Sequence, residues 1–293
     1  MAISRSQLAK ELEPGLNALF GLEYDRYDTE HAEIFDEESS DRAFEEDVML
    51  SGFSTAPVKS EGGSVNFDDA QETYTARYTH ETIALAFSIT EEAVEDNLYD
   101  RLAGRYTRAL ARSMSQTKQI KAAAVLNNAF TAGASAIGDG VALCASTHPT
   151  INGTQSNILS VAADLNETSL EQMLIDVAGT QDERGLKVAI RGTKLIIPKE
   201  LQFVAERLLN SNLRPGSSDN DINATKSMGM LPEGAVVNHF LTDSDAFFIK
   251  TDCPNGFKLF QRTPLRTAME GDFDTGNMRY KARERYSFGV SDW

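Results

Sequence analysis

Residues 90–130 constrain this chain more than any other stretch. They read TEEAVEDNLYDRLAGRYTRALARSMSQTKQIKAAAVLNNAF, with no proline and a single glycine, Gly104. Val94, Leu98, Leu102, Tyr106, Leu110 and Met114 recur at i+4, which makes a slowly winding apolar stripe on a helix. Ser88 or Thr90 can cap the start, and Ser88-x-x-Glu91 has capping-box spacing. Acids come first and bases follow, the polarity that a helix dipole prefers. Gly104 costs about 1 kcal/mol, too little to break the helix. At 1.5 Å per residue it would span roughly 60 Å. A helix of that length needs a surface to lie on, and the rest of the chain has to supply it.

The remaining sequence can do so. With 293 residues, 41% of them hydrophobic, the chain buries a substantial core and is expected to form two lobes. It carries 44 Asp and Glu against 28 Lys and Arg, a formal net charge of -16. Such a surface repels phosphate, which argues against nucleic-acid binding through counterion release. The first residues have no apolar signal core and no stretch is apolar enough for a membrane span. Cys144 and Cys253 have neither CxxC nor Cys/His spacing, so a reducing cytoplasm fits better than a disulfide framework or a zinc site.

In chain order, residues 4–22 read as a short amphipathic helix broken by Pro14. Residues 23–47 are acidic with few apolar positions, and their interleaved aromatics suggest an extended arm docked on something else. Residues 48–89 read as a projecting hairpin with Gly62-Gly63 near its tip. Its second flank alternates for about sixteen residues: Ile83, Leu85, Phe87 and Ile89 mark a half-buried base, while Thr75, Arg77, Thr79 and Glu81 mark a solvated end. Such a hairpin is poorly stable alone and calls for a partner surface, most economically another copy of the chain. Strands and helices then alternate from about Asp164 to Pro254, as in an α/β lobe. Two long strands close the chain, and the alternation Met278, Tyr280, Ala282, Glu284, Tyr286, Phe288, Val290 could form the sheet beneath the long helix.

Motifs for catalysis and metal binding fail on chemistry. The run from Gly133 to Gly140 has Walker-like spacing but places Asp139 where a phosphate-binding lysine is needed. Asp219, Asp221 and Asn223 resemble the start of a calcium loop, yet Ala224 and Met230 replace its required glycine and glutamate. Asp272, Asp274 and Asn277 read as turn formers. The four histidines lack metal or triad spacing, and no GxSxG occurs. No cofactor, metal or catalytic residue is assigned. Arg101, Arg105, Arg108 and Arg112 do fall on one face of the long helix. Their partner would be an acidic arm, this chain's own or a neighbour's, with local ion pairing as the plain alternative.

The order of parts, and segments such as AFEEDVMLSGFSTAPVKSEGG, ARYTHETIALAFSITEEAVEDNLYDRLAGRYTRALARSM and MEGDFDTGNMRYKARERYSFGVSDW, resemble the major head subunit group of Mu-like phages and prophages. That group lies among the tailed-bacteriophage major capsid proteins of the Hong Kong 97-type fold, and the resemblance covers nearly the whole chain. It implies an α+β fold with an N-terminal arm at 1–47 and an E-loop at 48–89. The peripheral domain would take 90–163 and 255–293, with the spine helix at 90–130, and the axial domain 164–254. It further implies hexamers and pentamers of an icosahedral virion shell, assembled in the host cytoplasm around double-stranded DNA that is not bound sequence-specifically. Scaffolding and portal proteins would be partners. The chain begins without a long pro-segment, so a separate scaffold is expected. Some relatives crosslink through an E-loop lysine. Lys59 sits near the hairpin tip here, but no motif identifies an asparagine partner or catalytic acid, so ordinary ion pairing is expected of it. Lys59, Arg101, Arg105, Arg108 and Arg112 are the inter-subunit contact candidates. An encapsulin-like compartment shell is the alternative within the fold, and a soluble enzyme the alternative outside it.

Overall fold

The computed structural model describes residues 5–90, 92, 99–133, 137–214, 221–272 and 276–293, with the backbone alone at 5–12 and 99–102. Helix α1 (Arg5–Tyr24) runs through Pro14 without the expected break. An interior proline costs a helix about 3 kcal/mol. Leu16 and Phe20 offset that by burying themselves against helix α2 (Tyr99–Asn127) at Ala103, Leu110 and Ala111. Each fully buried large side chain contributes about 1.5–3 kcal/mol.

Helix α2 is the long helix anticipated above. Val94, Leu98 and the side chain of Leu102 lie outside the described residues, as does the helix start. Ser88 is not its cap, because it belongs to strand β4 (Glu81–Ile89). The buried stripe differs from the i+4 series. Ala103, Thr107, Leu110, Ala111, Met114, Lys118, Ala122 and Leu126 are buried, while Tyr106 stays half exposed and leans on Phe87 with ring centroids 5.8 Å apart. The i+4 series does continue buried from Leu110 through Met114, Lys118, Ala122 and Leu126, drifting about 40° per step, while before it the covered face runs through Ala103 and Thr107, one position off Leu102 and Tyr106.

Beneath α2 lies a four-stranded sheet in the order β1-β10-β11-β4, where β1 is Asp36–Ser39, β10 Phe257–Gly271 and β11 Met278–Val290. The closing strands thus supply the surface that the long helix required. β10 and β11 pair antiparallel, β11 and β4 likewise, and β1 adds in parallel with Asp36 opposite Lys258. The acidic arm therefore docks on its own chain. Ile34 and Phe35 are its anchors, buried against Ala122, Leu126, Leu259 and Tyr286.

The hairpin differs from a single long strand. β2 (Phe44–Leu50) and β3 (Glu72–Thr79) form a separate two-stranded sheet, and β4 belongs to the main one. At His80 the buried phase switches. Ala76, Tyr78 and His80 are buried before it, whereas Ile83, Phe87 and Ile89 are half-buried after it and Leu85 is exposed. The even-numbered face of β3 anchors the base: Tyr78 packs edge-on to Phe260 at 4.8 Å, and its hydroxyl lies 2.6 Å from Ser291 Oγ. His80 bridges Ser40 and Ser287, both at 2.9 Å.

Between the two halves of the main sheet's chain come a small hairpin of β5 (His148–Thr150) and β6 (Gly153–Gln155) and a lobe built on β7 (Gly192–Ile197), flanked by β8 (Ala235–Val237) and β9 (Phe248–Thr251). β7 pairs parallel with β8 and antiparallel with β9. Helices α3 (Glu167–Ala178) and α4 (Gln202–Asn210) cover it through Leu170, Leu174, Ala205 and Leu208. Of the two caps considered for α3, Asn166 takes the role: its side chain accepts from Ser169 N at 2.9 Å, and Ser169 Oγ accepts from Asn166 N at 3.0 Å. Asn166→Ala is expected to cost about 1 kcal/mol in urea unfolding without altering the folded lobe's circular dichroism.

Candidate assembly surfaces

The arginine row rests on α2, whose opposite face is held by the sheet. Arg105, Arg108 and Arg112 are exposed and in line, while the side chain of Arg101 lies outside the described residues. Among the described residues none of these three has an ion-pair partner. Four of the arm's own acids are engaged elsewhere. Glu33 and Glu233 meet Lys194 at 2.7 and 3.1 Å, Asp36 meets Lys250 at 3.5 Å, and Asp47 and Glu38 meet Lys258 at 2.7 and 3.7 Å. Lys194 is 8% exposed. Burial works against its charge, yet the two glutamates hold its ammonium above the ordinary lysine value.

The second exposed feature is the loop at 51–71 between β2 and β3. It is tied at its ends by Ser51 N to the Gln71 carbonyl at 2.8 Å, by Ser54 N to Asp68 Oδ2 at 2.7 Å, and by the Arg184 guanidinium to the Asp69 carbonyl. Between these ties Val58 is 99% exposed and Phe67 98%, with Lys59 exposed and unpaired among the described residues.

Under this loop's base lies a buried pair that the sequence did not single out. His148 Nδ1 is 2.7 Å from Asp139 Oδ2, both side chains are fully buried, and the imidazole stacks on Trp293 at 4.2 Å and 8°. Asp139 therefore holds a histidine, and the adjoining Gly138 approaches the Thr75 carbonyl so closely that a Cβ would sit 2.0 Å from it. Nothing local in the sequence marks this pair, because its two residues meet only through the loop's fold. Glu284 is also buried, on the sheet face under α2, with neither carboxylate oxygen hydrogen-bonded. Burial pushes its carboxyl up to about 7, against the pull of Lys118. A lone acid among the alternating apolar positions of β11 was the available signal.

Other candidates resolve as structure. Asn223 is the buried cap of the short helix α5 (Ala224–Met228), and Asp272 pairs with Arg279 across the β10–β11 turn; Asp219 and Asp274 lie outside the described residues. Among the described residues no group of three or more His, Cys, Asp or Glu could hold a metal, and no helix is long and apolar enough to cross a membrane. Both cysteines are free, and burial pushes each thiol up to about 12, far from a reactive thiolate. A cavity of about 340 Å³ opens where α3, β9 and the end of α2 meet, walled by Phe130, Met173, Val177, Phe247, Phe257 and Trp293, with Asp176 and Asp245 at its edge.

The family of phage capsid proteins matches residues 73–293. Among solved structures, the bacteriophage JBD30 capsid superposes with a TM-score of 0.56 at 11% identity, over 74% of this chain and 92% of that one. The capsid of an empty GTA particle gives 0.55 at 13% identity, over 91% and 88%. The virus-like particle from Pyrococcus furiosus gives 0.51 at 10% identity, over 94% and 93%. No curated protein matches the chain. The matched residues take in β3, the helix on its sheet, the inserted lobe and both closing strands, which together make the Hong Kong 97-type α+β fold. This chain belongs to the phage capsid protein family and is a major capsid shell protein.

Proposed function

We propose that the chain is the major head subunit of a tailed phage of the Mu-like group, assembling in the host cytoplasm into hexamers and pentamers of an icosahedral shell around double-stranded DNA. The observation that carries this reading, within the family, is a loop that holds Val58 and Phe67 almost wholly in solvent. Burying such side chains on a neighbour would contribute about 1.5–3 kcal/mol each. Residues 1–47 would serve as the arm, 48–89 as the E-loop, 90–163 and 255–293 as the peripheral domain, and 164–254 as the axial domain around capsomer centres. The role is structural and needs no catalysis. A separate scaffold and a portal would guide closure, and the net charge of -16 suits a container that does not grip its DNA.

The arginine row is read as an inter-subunit contact. Since Glu33, Asp36, Glu38 and Asp47 of the chain's own arm pair with Lys194, Lys250 and Lys258, and none of its described acids meets Arg105, Arg108 or Arg112, acids of a neighbour are the partner this reading assigns. Arg101, on the same line, would join it. Electron microscopy and light scattering of the purified protein, with its scaffold where needed, should show capsomers or closed shells. The triple reversal R105E/R108E/R112E should leave the subunit folded and lower shell yield by about tenfold or more, because each small pairwise loss recurs at every interface. A monodisperse small monomer with a turnover activity would overturn the reading.

A further inference from the structure

We propose that the cavity beside α3 receives the loop tip of a second copy of this chain, with Val58 entering its apolar interior and the Lys59 ammonium resting on the Asp176 and Asp245 carboxylates. The inference deepens the assembly reading above and rests on it. It starts from two exposed surfaces of the chain that match each other in chemistry; of the acids, the Asp176 carboxylate accepts only from the neutral Gln172 amide, at 2.8 Å, and has no ion pair among the described residues.

The tip is shaped for insertion. Gly63 N donates to the Ser60 carbonyl at 3.0 Å and Gly62 takes a φ of 76°, so the chain turns back just after Lys59. Val58 and Lys59 are thus held out at the shoulder of a tight turn, one apolar and one cationic. The cavity offers the complement: aromatic and aliphatic walls, of a volume within the ordinary range for binding pockets, and acids at the mouth. Asp176 and Asp245 are both exposed, and Lys250, the cation lining the same cavity, is engaged by Asp36. Asp245 also stands beside Asp243, whose hydrogen bond and charge hold the Asp245 carboxyl above the usual range. Two acids crowded together in this way favour an incoming cation.

Charge also selects among the loop's apolar residues. Phe67 is as exposed as Val58, but Asp68 and Asp69 follow it directly and an acidic mouth would repel them. Val58 is followed by Lys59. The tip and the cavity are different patches of the chain, so a contact between copies is head-to-tail, and repetition of such a contact about an axis closes a ring.

Carbodiimide coupling of assembled shells, read by peptide mass spectrometry, should join Lys59 of one chain to Asp176 or Asp245 of another. Lys59→Glu should lower shell yield by about tenfold, and the pair D176K/D245K by a similar factor. The three changes combined should recover most of the yield, which a merely structural role for these exposed residues would not produce. Shells of unaltered protein in which Lys59 couples elsewhere, or a combined variant with no recovery, would overturn the contact while leaving the assembly reading intact. If the unaltered protein forms no shells, the assembly reading itself fails and this contact with it.

Discussion

Gly138→Ala is expected to lower the unfolding free energy by about 4 kcal/mol, the largest effect anticipated for a single methyl group in this chain. Two causes add. Gly138 takes a φ of 72°, where a side chain strains the backbone, and its Cβ would lie 2.0 Å from the Thr75 carbonyl oxygen and 3.2 Å from Ala76 N. Those are backbone atoms of β3 and cannot swing aside. Gly140 provides the control, since it shares the left-handed conformation at a φ of 81° yet has nothing within 4 Å of its Cβ site. Gly140→Ala should cost only about 1 kcal/mol. Urea unfolding of the two variants measures the difference. Equal costs would mean that the loop after α2 does not press on the hairpin base as described.

Glu284→Gln should stabilise the protein, and by an amount that depends on pH. The carboxyl is raised from 4.5 to about 7 by burial, so the folded state holds its proton through a range in which the unfolded state releases it. Stability contributed by this group is therefore lost as pH rises from about 4.5 to 7. The loss levels off above that at about 3 kcal/mol, since each tenfold difference in proton affinity between the two states is worth about 1.4 kcal/mol. Glutamine cannot ionise and escapes the loss. The unfolding free energy of E284Q minus that of the unaltered protein should thus be near its minimum at pH 4.5 and about 3 kcal/mol higher at pH 8. A difference independent of pH would show that Glu284 titrates normally.

Much of the fold was legible because it follows from periodicity. The helix now seen as α2, the paired closing strands and the elements of the inserted lobe each carry a repeat that one stretch of sequence displays. What stayed hidden depends on partners distant in sequence. Tyr74, Ala76, Tyr78 and His80 form one face and Ile83, Phe87 and Ile89 the other, and only the packing of Tyr78 on Phe260 and of Phe87 on Tyr280 reveals that both are used. Pro14 reads as a break until α2 is there to hold the turns that follow it, through Leu16 and Phe20. The candidate contacts divide in the same way. Four arginines on one line are visible from spacing alone. That the arm leaves Arg105, Arg108 and Arg112 unpaired could be learned only by following Glu33, Asp36 and Asp47 to their lysines. The cavity draws its walls from stretches scattered between Asp36 and Trp293 and has no sequence signature.

The docked arm has a bearing on solubility. A shell protein accumulates at high concentration before it assembles, and a bare sheet margin at that concentration invites strands of other molecules to add to it. β1 covers the outer side of β10 with the sequence Asp36-Glu37-Glu38-Ser39, every residue of it exposed. Asp36 and Glu38 are matched by Lys250 and Lys258, so among the described residues Glu37 is the carboxylate of that border without an ion pair. A strand of another copy brought against that border meets exposed polar side chains and an unpaired carboxylate rather than a bare apolar edge.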